Sequence, residues 1–139
     1  MLKTTIRPRF SDTDALGHIN NTVIPVWFLE AREPVLQLFM PGGAISEHSL
    51  AVVRMEINYQ KETHFGEDVT LTTRVHHIGN SSFSLRQEVW QSGACTASGL
   101  TTLVHFNPQQ KKAAPLPTHL REALEKLKDD EISHSTTPV

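Results

Sequence analysis

At 139 residues, 38% hydrophobic and 20% charged, the chain is long enough for one domain with one core and has the composition of a globular protein. Its net charge of -2 and pI near 6.4 leave no electrostatic footprint for nucleic acid, which a basic domain would show. The single Cys95 excludes an internal disulfide or a multi-cysteine metal site and fits a reducing cytoplasm; no apolar run approaches the roughly 20 residues of a membrane helix, and MLKTTIRPRF lacks the apolar centre of a signal peptide.

Leu2 to Phe10 alternates between an apolar and a polar face, the period of a strand, and Pro8 puts it at an edge or a strand end. Ser11 to Asn20 is rich in turn formers, so a loop is expected, with a helix beginning at about Asn20 or Asn21. Pro25 then falls in or just past the first turn, where its missing N–H costs least. Val23, Trp27, Ala31 and Leu38 keep helical spacing, as do Ile24, Phe28 and Val35. The helix is apolar around most of its circumference and is expected to be buried on several sides. Pro34 should kink it or end its regular part, and Pro41-Gly42-Gly43 stops it. A loop with Ser46, Glu47 and His48 follows.

Four long alternating strands come next, over about 51–59, 69–76, 83–90 and 95–106. They are separated by His64-Phe65-Gly66, Gly79-Asn80-Ser81 and Ser92-Gly93. Connections this short imply antiparallel neighbours with one wet face. Small residues crowd the last strand (Ala94, Thr96, Ala97, Ser98, Gly99), and Gly99 is expected to mark a close approach by other backbone or a bulge. A sheet with such a hollow and one apolar helix suggests that the sheet curls around the helix. Asn107 to Pro117 reads as a turn-rich loop, Thr118 to Lys128 as a short amphipathic helix, and 129–139 as a frayed, disordered tail. No repeat, linker or second domain is apparent.

The densest polar chemistry lies in RFSDTDALGHINNTVIPVWFLEAR, Arg9 to Arg32. The eight histidines are otherwise scattered, without an HExxH or similar spacing, so no metal site and no cofactor are expected. The words SDTDALGHINN and FLEAR resemble the 4-hydroxybenzoyl-CoA thioesterase-like acyl-CoA thioesterases of the hotdog fold. NYQKETHFGEDVTLTTRV, IGNSSFSLRQEV and TTLVHFNPQQKKAAPLP fall where that family places its strands and final loop. The likeness covers roughly residues 4 to 128, and its most specific part is D-x-x-G-H-x-N-N before a buried helix.

The resemblance implies an α+β hotdog domain over 1–128, with about five antiparallel strands around one long central helix. It implies an acyl-CoA substrate and a homodimer or dimer of dimers joined sheet edge to sheet edge, with the acyl-CoA between subunits. By the same likeness the family's catalytic aspartate matches Asp14, and the following histidine and asparagines match His18, Asn20 and Asn21. Family members often carry an aromatic near Ile24 or Pro25, and Pro34 is unusual in the helix. Both positions bear on the acyl pocket, so the substrate of a relative is not transferred.

A thioester is already activated, so its hydrolysis needs only a base or nucleophile, an oriented carbonyl and donors for the oxygen as it gains charge. Asp14 can attack the carbonyl or deprotonate a water that does. A carboxylate ionised at neutral pH suits the first role. Partial burial would help the second. Backbone N–H groups near Asn21 can polarise the carbonyl. Spacing alone leaves Asp14 equally open to a loop or cap role. For Asp12 the favoured reading is closing the turn. His18 can bond the thioester oxygen, place water, or simply cap and pack. One of Asn20 and Asn21 should cap the helix, and the other is left to face the site.

Coenzyme A phosphates need cations and hydroxyls; Arg74, Arg86, Lys111, Lys112, Ser81 and Ser82 are the candidates, with solvated surface as the plainer reading of each. Trp27, Phe28 and Trp90 are acyl-pocket or plain core aromatics. Two other functions stay open: a hotdog dehydratase or hydratase on acyl thioesters, and a non-catalytic acyl-thioester binder. A DNA-binding version would need a helix-turn-helix or basic segment, which is absent.

Overall fold

The computed structural model describes residues 1–15, 17–43 and 48–128. The expectations for Ser46, Glu47 and the 129–139 tail lie outside the described residues. Strands β1 (Leu2–Ile6), β2 (Ser49–Tyr59), β3 (Val69–Ile78), β4 (Ser82–Gln91) and β5 (Ala94–Asn107) form one antiparallel, curled sheet in the order β1-β3-β4-β5-β2. A two-residue strand, β6 (Lys112–Ala113), pairs with the end of β5 inside the stretch expected to be only loop. Helices α1 (Val23–Ala31) and α2 (Glu33–Phe39) cross the concave face, and α3 (Thr118–Glu125) closes one end.

The first strand ends at Ile6, just before Pro8, and Phe10 opens a 3-10 turn with an exposed ring instead of continuing the apolar face. The central helix starts at Val23, later than expected, because Asn20 builds a turn of its own first. Its side-chain Oδ1 accepts from the Thr22 N–H at 2.9 Å, and its carbonyl accepts from the Val23 N–H at 3.0 Å. Pro34 does break the helix: α1 stops at Ala31, Arg32 forms the joint, and α2 carries Pro34 in its first turn. A proline ring there would clash with the Glu30 carbonyl of a continuous helix. The expectation of burial on several sides holds for Ile24, Trp27, Phe28, Ala31, Val35 and Phe39 but not all round. Val26 and Leu29 are more than half exposed on this chain.

Register explains how the concave face is built. Leu71, Val89 and Ala97 stand side by side across three strands; the next inward row is Thr73, Gln87 and Gly99, and the one after is Val75, Leu85 and Thr101. Two apolar clusters result. One gathers Ile24, Trp27, Phe28, Leu71, Val89 and Ala97, and the other gathers Val35, Phe39, Val75, Phe83, Leu103 and Leu124. The polar row between them receives the helix joint. Gln87 Nε2 donates to the Phe28 carbonyl at 2.8 Å, and Arg32 donates to Gln87 Oε1 at 3.3 Å. Burial lowers the Arg32 pKa.

Gly99 does mark a close approach, but by a ring and not by backbone. A Cβ at Gly99 would lie 2.7 Å from Phe28 Cε2. Here the sheet yields to the helix.

The convex face is polar but not simply wet, which corrects the expected alternation. Thr72, Arg74, Glu88 and Ser98 are all buried there. Arg74 pairs with Glu88 at 3.2 Å, and Thr72 donates to the same carboxylate at 3.2 Å. Arg74 and Arg86 face each other across β3 and β4, a like-charge juxtaposition that the Glu88 carboxylate offsets.

Candidate active site

The site end lies where the loop after β1 meets the β2–β3 connection. In the 3-10 turn Asp12 is buried, accepting from the Arg9 N–H at 2.8 Å and the Arg9 guanidinium at 3.1 Å. This fits the turn-closing reading of Asp12. The turn separates the two aspartates: Asp12 points into the protein, and Asp14 is exposed. Asp14 donates its backbone N–H to the His18 carbonyl at 2.9 Å, folding the loop back on itself. Gly17 sits at the bend with φ +79, a conformation that disfavours a side chain.

The loop is held from the other side by residues more than 40 positions away. Ile19 donates to the Thr63 carbonyl at 2.7 Å and Phe65 to the Gly17 carbonyl at 3.2 Å, with His18 and His64 paired between them. The His18 ring meets His64 edge-on, centroids 5.0 Å apart, and its Nδ1 lies 3.3 Å from a Glu62 carboxylate oxygen. Tyr59 donates its hydroxyl to the Asn21 carbonyl at 2.7 Å. A pocket of about 410 Å³ opens here, lined by Ile19, Asn21, Tyr59, Glu62 and Thr63 among others.

Asn20 and Asn21 divide their work as the sequence could not specify. Asn20 serves the helix start, while Asn21 is exposed at the pocket. Asn20 also claims the Thr22 and Val23 N–H groups. Among the described residues, the Asn21 N–H and side-chain amide have no partner. They are the donors at the helix mouth that a substrate oxygen can meet.

The candidates for coenzyme A contacts are not brought to this end of the chain. Ser81 and Ser82 lie at the β3–β4 turn, with Lys111 and Lys112 beside it beyond β5. That is the opposite end of the ten-residue strand β3, roughly 30 Å away at about 3.3 Å per residue. Ser81 accepts from the His105 N–H through its carbonyl, and the two lysines are exposed. Arg74 is buried in its ion pair with Glu88, and Arg86 is half-buried beside it. The plainer reading of Arg74 as solvated is also corrected. Trp27 and Phe28 are core, and Trp90 is half-buried at a bulge. Tyr59, Glu62 and His64 were missed, since only the pairing of two distant loops reveals them. Burial, aided by the Glu88 carboxylate, pushes the Cys95 thiol up to about 11, so it is no nucleophile at neutral pH.

A curled antiparallel sheet wrapped around a helix is the architecture of the hotdog class. The family model for the Thioesterase-like superfamily matches residues 8–124, and the chain belongs to that family. By class it is a thioester hydrolase. It is similar to a predicted thioesterase from Bacillus stearothermophilus, with TM-score 0.87 and 36% identity over 92% of this chain and 96% of that one. A thioesterase from Thermus thermophilus, solved in complex with coenzyme A and Zn, superposes with TM-score 0.77 at 31% identity, covering 88% and 95% of the two chains. The long-chain acyl-CoA thioesterase FadM of Escherichia coli (strain K12) is 28% identical over 91% of this chain and 98% of its own length. No helix among the described residues is long and apolar enough to cross a membrane.

Proposed function

We propose that the chain is an acyl-CoA thioesterase in which Asp14 carries the chemistry. The observation behind this is the placement of Asp14. It is an exposed carboxylate at the mouth of α1, in the same folded loop as His18 and Asn21, in a chain of a thioesterase family. The thioester carbonyl is set against the Asn21 donors. Asp14 either attacks its carbon, forming a mixed anhydride that water then opens, or takes a proton from a water that attacks in its place. In both routes the C–S bond breaks, releasing the free acid and coenzyme A.

The working unit is a homodimer. Strand β2 is an eleven-residue edge strand, mostly exposed, with a row of unpaired backbone groups on one side. Its Tyr59 end lies at the site and its Ser49 end lies with Phe106 at the far end. Two β2 strands paired antiparallel place the far end of one chain beside the site of the other. Lys111 and Lys112 of a partner can then approach coenzyme A phosphates that this chain's own lysines cannot reach.

The test is free-thiol release from short, medium, long and aromatic acyl-CoAs, with enoyl-CoA absorbance followed in parallel. Thiol release is expected, with any fall in the enoyl-thioester absorbance matched by the thiol released. Loss of that absorbance without thiol release would make the chain a hydratase. Acyl-CoA binding with neither change would make it a binding protein.

A further inference from the structure

We infer that Glu62 is a positioning residue for His18, fixing which ring nitrogen carries the proton; this deepens the reading of the Asp14–His18 loop as the reactive end. Glu62 does not sit on a loose loop. The next residue, Thr63, is buried, bonded through its carbonyl to the Ile19 N–H and through its hydroxyl to Thr96 at 2.8 Å. His64 is held in turn by Gln91, which accepts from its N–H at 2.9 Å and donates to its carbonyl at 2.8 Å. The connection is therefore clamped to the site loop on one side and to β4 and β5 on the other. Between those clamps Glu62 meets His18 Nδ1 at 3.3 Å, while the His64 ring packs edge-on against the imidazole.

The chemistry follows from proton counting. An ionised carboxylate only accepts, so a hydrogen bond across this 3.3 Å approach places the proton of His18 on Nδ1. The other nitrogen, Nε2, then holds the lone pair of the neutral ring and can take a proton from water. When the ring is charged, Nε2 has an N–H to give to the departing sulfur. Either way the carboxylate sets the tautomer and the ring direction, as the partner of a functional histidine does. The Glu62 side chain is 64% exposed. An ion pair that exposed contributes little to stability, so the Glu62 carboxylate can be changed without unfolding the chain.

The test joins a spectroscopic readout to a mutant cycle. Imidazole nitrogen shifts of His18 are recorded on the neutral ring in the wild type and in Glu62→Gln. The expected wild-type form carries the proton on Nδ1, and in Glu62→Gln the population moves toward the Nε2–H form. Glu62→Gln should lower kcat roughly 10- to 100-fold, the range for losing the partner that orients a metal-bound histidine. The same change on a His18→Ala background should lower it less than about 2-fold, since neighbours acting through one another are not additive. The same tautomer in both proteins overturns the inference. So does an unchanged kcat, or a loss that persists in full without His18. The nitrogen shifts need no substrate, so a wild-type chain that releases no thiol would defeat the thioesterase reading while leaving the Glu62–His18 contact to be judged by them.

Discussion

The two ends of the sheet have opposite characters. At the far end Phe39, Phe83, Leu103 and Leu116 are buried together with Leu120 and Leu124 of α3, and Phe39 stacks on Phe83 with centroids 5.5 Å apart. At the site end the residues that matter are exposed or half-buried, and backbone bonds between two loops hold them. The polar row of Thr73, Gln87 and Arg32 lies between the two apolar clusters. One end is sealed and contributes stability. The other is left open and polar, and the proposed chemistry is assigned to it. A fold that divides its labour this way should let activity and stability be damaged separately.

The largest expected effect is at the open end. Asp14→Asn should lower turnover by roughly 10² to 10⁴-fold, the usual contribution of a positioned acid–base group. The melting temperature should move little, because the Asp14 side chain is exposed and an exposed contact contributes little to stability. Kinetics alongside a thermal melt would check both halves. At the sealed end, Leu124→Ala should do the reverse. It removes a fully buried side chain, which costs about 2–5 kcal/mol, while kcat measured well below the melting point stays near wild type. Denaturant unfolding would supply the first number and an initial-rate assay the second.

Gly99→Ala probes the middle of the molecule. The new methyl would press on the Phe28 ring, and overpacking of this kind costs about 1–3 kcal/mol. Gly99→Ala combined with Phe28→Leu should recover part of that loss, which a double-mutant cycle in urea would measure. The smallest effect is on Cys95. Its thiol titrates near 9.0 when unperturbed and at about 11 in the fold. The folded state keeps the proton through that window while the unfolded state gives it up. This contribution is therefore full below about pH 9 and falls as pH rises toward 11. A Cys95→Ala chain should lack that part of the alkaline decline. In the native wild type at neutral pH, a thiol reagent should find no reactive cysteine, so coenzyme A release can be followed without background.

Much of this division was legible in the sequence. Alternation placed the four long strands, and Pro34 marked the helix break. The D-x-x-G-H-x-N-N word marked the turn before the helix, the loop to which the chemistry is assigned, because turn formers and helix-mouth residues act locally. What stayed hidden depends on partners distant in the chain. Periodicity tells which face a residue takes but not what it meets there. So Arg74 read as a surface cation when Glu88 buries it, and Gly99 read as a backbone contact when Phe28 fills the space. The pattern starts the helix at about Asn20 or Asn21 because a cap is favoured there; the Asn20 side chain builds a turn that delays the start. Glu62 carried no local signal at all, since its role comes from two loops pairing across more than 40 residues.

The most direct test of where the chemistry lies is amide hydrogen exchange with and without a non-hydrolysable acyl-CoA thioether. Slowed exchange at Asn21 and along 59–64, with little change in α3, is the predicted result. Protection confined to α3 and the β3–β4 turn of a monomeric chain, with the amides around Asn21 unaffected, would contradict it.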